Sequence, residues 1–94
     1  MELRSFSHKP LRRFYEEGEI KGLPAGTAAK LRAMFAVLDQ MKDAGERKAW
    51  PLWKVHALTG NRKGTWSLHV TRNWRLTFRI DIGKMFDLNI EDYH

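Results

Sequence analysis

The period of the apolar side chains changes near residue 52, and this change constrains the fold more than any other feature of the chain. Before residue 52 apolar residues recur every three or four positions, and after it they alternate with polar residues. The first spacing is typical of helices that bury one stripe, and the second is typical of half-buried strands. A chain of 94 residues can bury one hydrophobic core. We therefore expect one α+β domain over residues 1–94.

The first half of the chain is predicted to form two helices. The first covers residues 8–17 and ends at Gly18. The second runs from residue 24 to residue 43 and is closed by Gly45. Its apolar positions follow the helical spacing and are Ala28, Leu31, Met34, Phe35, Leu38 and Met41. Such a stripe is typical of a helix that packs on a core.

The second half is predicted to form four strands, which cover residues 52–57, 66–70, 74–80 and 86–90, and residues 3–6 could add a short opening strand. Two-residue links join the last three strands: Arg72 with Asn73, which can adopt a positive φ, and Ile82 with Gly83. Short hairpins favour pairing in sequence order. The prediction is a twisted antiparallel sheet of about four strands, with both helices packed on its apolar face.

The alternation also assigns each strand residue to one face of the sheet. In the last strand, Phe86, Leu88 and Ile90 are predicted to point toward the helices. The uncovered face, which we call the open face, is predicted to carry polar side chains from three strands, namely Lys54, His56, His69, Arg75, Thr77 and Arg79. A solvated sheet face is ordinarily polar, so this pattern alone does not establish a binding surface.

The charge of the chain is concentrated in the sheet. The net charge is +6, yet residues 47–80 contain eight Lys and Arg residues, no carboxylate and all four tryptophans. Residues 81–94 contain four acidic residues and one lysine. Lys and Arg neutralise phosphates and release counterions, so such a segment is suited to a polyanion. This asymmetry favours a nucleic-acid partner over a basic surface kept for solubility.

RNA cleavage needs a base for the 2′-OH proton, an acid for the 5′-oxygen and positive charge at the phosphate. His56 and His94 could exchange the protons, because histidine titrates near neutral pH. Arg75 could contact the phosphate. We expect the tail formed by residues 91–94 to fold onto the open face and bring His94 there. His8 is assigned no role.

Several other functions are not expected. Four histidines without cysteine, and without metal-ligand spacing, predict no metal site and no cofactor. No apolar run is long enough for a membrane span, and residues 1–4 do not begin a secretory signal. The absence of cysteine fits a reducing cytosol. We therefore expect a cytoplasmic protein that does not act at a membrane.

Several motifs together resemble one known family. They are Ser-Phe-Ser-His-Lys at residues 5–9, Lys-Gly-Leu-Pro at 21–24, HALTGNRKGTWSLHVTRNWRLTFR at 56–79 and Glu-Asp-Tyr-His at 91–94. In this order they resemble the HigB toxins of the RelE/ParE superfamily, which belong to bacterial type II toxin–antitoxin systems. The resemblance implies a RelE-like fold and a ribosome-dependent endonuclease that cuts mRNA in the ribosomal decoding site. It also implies a HigA-like helix-turn-helix antitoxin, through which the toxin reaches operator DNA, and a bacterial cytoplasmic location.

The resemblance assigns roles to particular residues. The catalytic residues it implies are His56, Arg75, Asp92, Tyr93 and His94. The basic side chains of the sheet and its loops are expected to bind RNA, and they are Lys54, Arg62, Lys63, Arg72 and Arg79. Two positions depart from the family pattern: Ala57 replaces a proline and Thr59 replaces a lysine. Loss of that lysine removes a cation near the phosphate, for which Arg62 or Lys63 could compensate.

Two other functions are compatible with the sequence. A ParE-like toxin would inhibit DNA gyrase by binding, although such an inhibitor has no chemical need for the paired imidazoles of His56 and His94. A non-catalytic RNA-binding module would use the basic sheet as an electrostatic platform and an exposed tryptophan for stacking.

Overall fold

A computed structural model describes residues 1–42 and 53–93 of the chain. Its elements follow the order β1 (Glu2–Leu3), α1 (Lys9–Glu17), α2 (Ala28–Gln40), β2 (His56–Ala57), a 3₁₀ turn (Gly60–Arg62), β3 (Thr65–His69), β4 (Trp74–Asp81) and β5 (Lys84–Asp92). The strand order in the sheet is β1-β5-β4-β3-β2. The α+β class is confirmed, but the described sheet has five strands and is mixed, because β1 pairs with β5 in parallel.

Helix α1 forms as its flanking residues predict. The side chain of His8 accepts a hydrogen bond from the backbone N–H of Leu11 at 3.1 Å and so caps the first turn. Gly18 ends the helix with φ 76°, and its N–H donates to the carbonyl of Phe14 at 2.9 Å. Leu11 and Phe14 are buried on the side that faces the sheet.

Helix α2 begins four residues later than the sequence predicts. Thr27 precedes it as a fully buried residue, and its hydroxyl donates to the carbonyl of Pro24 at 2.7 Å. This bond closes a turn between Pro24 and the helix, so the proline starts the turn instead of the helix. The helix also ends earlier than the predicted residue 43, at Gln40, because Met41 is extended with φ −70° and ψ 138°. Gly45, the predicted closing residue, lies outside the described residues.

The core lies between the helices and one face of the sheet. The apolar stripe of α2 is confirmed, since Leu31, Met34 and Leu38 have no exposed surface. They belong to one hydrophobic cluster with buried side chains of β3, β4 and β5, which include Leu68, Leu76, Phe78, Met85, Leu88 and Ile90. Both helices therefore cover the apolar face of the sheet.

A β-bulge in β5 overturns part of the predicted alternation. Asp87 adopts φ 56°, and the pairing of β5 with β4 shifts between Thr77 and Arg79. One extra residue in β5 reverses the facing of the side chains before it. Met85 is consequently buried in the core, while Phe86 lies opposite Arg79 and is only half-buried. The prediction that Phe86 belongs to the apolar face is wrong.

The edge strand β2 is shorter than predicted, and the link between β3 and β4 lies where the sequence predicts it. The strand predicted over residues 52–57 is reduced to His56–Ala57, because Lys54 has φ 47°, and Leu52 lies outside the described residues. The link at Arg72 and Asn73 is confirmed by backbone hydrogen bonds in both directions between Thr71 and Trp74. Asn73 does not adopt a positive φ.

The other hairpin turns through Ile82 and Gly83, whose φ angles are 49° and 70°. Two successive positive φ values are those of a type I′ turn, which matches the twist of a hairpin. The predicted link between β4 and β5 is therefore confirmed. Among the helices of residues 1–42 and 53–93, none is both long and apolar enough to cross a membrane.

Candidate active site

The register of the sheet places the predicted polar residues in two rows on the open face. Residues directly opposite each other on neighbouring strands share a face. One row across β2, β3, β4 and β5 consists of His56, Ser67, Thr77 and Asn89, and the next row consists of His69, Arg75 and Glu91. The predicted positions of His56, His69, Arg75 and Thr77 on the open face are thereby confirmed.

Glu91 is the carboxylate at the centre of this face, although the sequence prediction assigned it no role. Both guanidinium NH groups of Arg62 donate to its two oxygens at 2.7 Å. The hydroxyl of Thr77 donates to the same carboxylate, and Nη2 of Arg75 lies 3.8 Å from Oε1. Glu91 therefore joins the basic loop before β3 to the middle of β4.

The surroundings of Glu91 favour its charged form. The paired hydrogen bonds from Arg62 are the largest cause, and they lower the pKa of Glu91 to about 2 against the opposing effect of burial. Thr77 and the positive charge of Arg75 lower this pKa further. The carboxylate is ionised at neutral pH. Its negative charge offsets the repulsion between the positive charges of Arg62 and Arg75 on this face.

Arg75 lies between Glu91 and the chain end. Its side chain is 20% exposed, and its Cζ lies 5.5 Å from the centroid of the Tyr93 ring. The Nε atom of Arg75 is buried and has no hydrogen-bond partner among the described residues. The guanidinium thus lies between the Glu91 carboxylate and the Tyr93 ring and remains partly exposed.

Tyr93 is held over the open face by contacts with two strands. Its backbone N–H donates to the carbonyl of Asn73 at 3.1 Å, which ties the chain end to the β3–β4 hairpin. Its hydroxyl lies 3.2 Å from Nδ1 of His69. The side chain remains 37% exposed, so its ring is available to a ligand.

Of the other two tail residues, only Asp92 lies within the described part of the chain. Asp92 is the last residue of β5 and lies opposite Trp74, on the same side of the sheet as Ile90. The expectation that Asp92 lies on the open face is therefore corrected, because β5 continues through it. His94 lies outside the described residues. Counting two residues back from Tyr93 along an extended strand would have identified Glu91 as the acidic residue of the open face.

The predicted RNA-binding residues fall into two groups. Arg62 is paired with Glu91, and its side chain is 40% exposed. The other four have exposed side chains around the open face and its loops, and they are Lys54, Lys63, Arg72 and Arg79. The guanidinium of Arg79 lies close to Gly64, where a Cβ atom would come within 3.3 Å of Nη2. Gly64 has φ 93°, which also favours glycine.

A shallow cavity of about 150 Å³ lies on the open face between these groups. Its walls include the side chains of Arg62, Thr77, Arg79, Asn89 and Glu91. The lining offers hydrogen-bond donors and acceptors, and Asp87 and Glu91 place two carboxylates beside its two arginines. Within residues 1–42 and 53–93, no group of three His, Asp or Glu side chains is placed to hold a metal ion.

Comparison with known proteins gives two matches over nearly the whole chain. A family model described as the RelE-like toxin of type II toxin–antitoxin system HigB matches residues 4–94. The chain is also 37% identical over 92 residues to Endoribonuclease HigB of Proteus vulgaris. That alignment covers 98% of this chain and 99% of the relative.

Proposed function

Since this chain belongs to the HigB-like family of RelE-like toxins of type II toxin–antitoxin systems, we propose that it is a ribonuclease that cuts mRNA in the decoding site of translating ribosomes and thereby inhibits translation. The relative from Proteus vulgaris, which is similar along its whole length, is an endoribonuclease by name. The structural observation that carries the proposal is the partly exposed guanidinium of Arg75, which lies between Glu91 and Tyr93 on an open basic face.

The proposed reaction is an attack of the ribose 2′-oxygen on the neighbouring phosphorus. One group takes the proton of the 2′-OH, the new P–O2′ bond forms, and the P–O5′ bond breaks as a second group protonates the 5′-oxygen. His56 and His94 are the proposed proton carriers. Arg75 would donate to the phosphate oxygens, whose negative charge increases in the transition state.

The remaining residues would hold the substrate. Tyr93 would stack on a base, since its exposed ring already lies beside a guanidinium. Lys54, Lys63, Arg72 and Arg79 would contact the mRNA backbone from the exposed rim of the open face. Asp92 would act only from the end of β5, by orienting the residues after it.

The proposed partners follow from the family. Membership in a type II system implies an antitoxin that binds this chain. We propose that this antitoxin is a HigA-like helix-turn-helix protein, that operator DNA is contacted through the complex, and that the toxin acts in the bacterial cytoplasm on ribosomes. Because 94 residues form a small site, the ribosome would position the substrate.

The test is cleavage of a reporter mRNA in a bacterial translation extract, with the new ends mapped by primer extension. The unmodified protein is expected to cut the mRNA only when ribosomes translate it. His56→Ala is expected to reduce cutting strongly, whereas His8→Asn, which can retain the helix cap, serves as the matched control. Equal cutting with ribosomes removed would overturn the ribosome dependence, and equal cutting by His56→Ala would overturn the role of His56.

The alternatives give different outcomes in the same experiment. A gyrase inhibitor would leave the mRNA intact and induce DNA-damage signalling in cells. A non-catalytic RNA-binding module would slow translation without producing new mRNA ends, and joint replacement of His56 and His94 would not change its effect.

A further inference from the structure

His69 contacts the candidate active site but has no part in the proposed reaction. It is the last residue of β3 and lies directly opposite Arg75 of β4 on the open face. Its Nδ1 lies 3.2 Å from the hydroxyl of Tyr93, and the two ring centroids are 5.7 Å apart. This is the one contact of the Tyr93 hydroxyl that the described residues show.

The direction of this hydrogen bond depends on the charge of the imidazole. The charged or titratable groups that face His69 are Lys54 ahead of β2, Lys30 of α2, Arg75 of β4 and Tyr93. Burial, followed by the positive charges of Lys54 and Lys30, lowers the pKa of His69. The neutral ring is therefore favoured at neutral pH, and in the tautomer that carries its proton on Nε2 the Nδ1 atom accepts from the Tyr93 hydroxyl.

The orientation of the Tyr93 ring needs such a contact. The backbone hydrogen bond to Asn73 fixes the main chain of Tyr93 but leaves the side chain free to rotate. Arg75 lies beside the ring face, with Cζ 5.5 Å from its centroid, and does not restrain the hydroxyl end. His69 restrains that end, so the two residues together define where the ring lies.

We propose that His69 is a positioning residue of the active site, which holds the Tyr93 ring over the open face by accepting the hydrogen bond of its hydroxyl. This inference rests on the proposed ribonuclease function, because Tyr93 is there the residue that orients the substrate. Because His69 lies opposite Arg75, the His69 ring can hold the Tyr93 ring beside the Arg75 guanidinium that would contact the phosphate.

Kinetics of mRNA cleavage on programmed ribosomes test this role. His69→Phe and Tyr93→Phe are each expected to lower kcat about 10-fold, since each removes one hydrogen bond that orders the site. The double variant is expected to be no slower than either single variant, because both changes delete the same interaction. His69→Asn is expected to retain most of the rate, since its amide oxygen can accept near the position of Nδ1. His8→Asn is the matched control for loss of a histidine elsewhere.

A second measurement does not depend on cleavage. The pKa of His69, followed by NMR of its ring protons, is expected to rise in Tyr93→Phe, because the lost donor favours the neutral ring. Greater exposure of His69 would also raise this pKa, because burial is the largest cause that lowers it, so the rise must be accompanied by unchanged chemical shifts of the surrounding backbone amides. The measurement also stands if a His69 variant fails to fold, since His69 itself is intact in Tyr93→Phe.

The possible outcomes separate the two proposals. If the unmodified protein does not cut mRNA on ribosomes, the proposed function fails and the inference fails with it. If the unmodified protein cuts mRNA but His69→Phe cuts it equally fast, only the role of His69 is overturned. The same follows if the rate of the double variant falls by the product of the two single-variant factors. An unchanged pKa of His69 in Tyr93→Phe would also overturn it.

Discussion

The two faces of β4 belong to one strand but depend on different physical interactions. Leu76 and Phe78 point toward the helices and have no exposed surface, whereas Arg75 and Thr77 point to the open face. The covered face is held by apolar area, which many side chains can supply. The open face is held by particular pairs, in which Glu91 accepts from Thr77 and balances nearby arginines. One face therefore supports the fold, while the other orders the polar and charged side chains of the candidate site.

The open face nevertheless contributes to its own rigidity. The bidentate pair of Arg62 with Glu91 connects residues 29 positions apart in the chain. Such a bidentate Arg–carboxylate pair stabilises the fold and also fixes the relative orientation of the two side chains. It holds the loop before β3 against β5, so part of the basic surface is ordered before any ligand binds.

The largest expected difference between the faces is in stability. Phe78→Ala is expected to lower the free energy of unfolding by about 3–5 kcal/mol, because it leaves a cavity in the core. Urea denaturation of the purified protein measures this loss. Arg79→Ala, at the next position but on the open face, is the matched control and is expected to cost less than about 1 kcal/mol. Similar losses for the two variants would contradict the division between the faces.

A smaller loss of stability is expected from a substitution on the open face. Glu91→Gln should lower the free energy of unfolding at pH 7 by about 1–2 kcal/mol, because it removes charged hydrogen bonds that solvent partly screens. The pKa of Glu91 in the folded protein, about 2, is below the ordinary value of 4.5. The stability that the Glu91 charge gives to the folded protein is therefore complete above pH 4.5 and is lost as the pH falls toward 2.

The pH dependence distinguishes this pair from an ordinary surface charge. The difference in stability between the unmodified protein and Glu91→Gln is expected to shrink between pH 4.5 and pH 2. Glu16→Gln is the control, because its ion pair with Arg12 is exposed and long at 3.7 Å. A difference that stays constant over this range would show that Glu91 does not stabilise the fold through its charge.

The smallest expected effect is a gain in stability at the hairpin tip. Ile82 adopts φ 49° and is 89% exposed, so it strains the backbone without burying its side chain. Ile82→Asn is expected to raise the free energy of unfolding by about 0.5–1 kcal/mol, because asparagine tolerates this conformation. Thermal unfolding measures the gain, and mRNA cleavage should not change. Reduced stability would show that the turn is not strained at this residue.

The covered face could be predicted from the sequence because its signal is local. The alternation of Leu76 and Phe78 with polar residues places these side chains in the core without knowledge of any partner strand. The end of the first helix at Gly18 likewise follows from its capping residue, whereas the cap that His8 forms at the start of this helix was not predicted. The family resemblance, read from motifs spread over the chain, is confirmed by the match of residues 4–94 to the HigB family model.

The missed features depend on which strands pair. The bulge at Asp87 moves Phe86 out of the core, and its position is set by the register of β5 against β4. The parallel pairing of β1 with β5 joins residues about 80 positions apart, and no local pattern indicates it. The same register decides that Glu91, and not Asp92, lies beside Arg75. Roles on the open face therefore require the sheet pairing as well as the residue types.

The central claim is that the open face contains a preformed ribonuclease site built around Arg75. Its most direct test is the single-turnover rate of mRNA cleavage on programmed ribosomes by Arg75→Lys, which keeps the positive charge but loses the guanidinium geometry. The rate is expected to fall about 100-fold while the variant stays folded and ribosome-bound, because a donor to the transition state is lost. A folded, ribosome-bound Arg75→Lys variant that cuts as fast as the unmodified protein would contradict the claim.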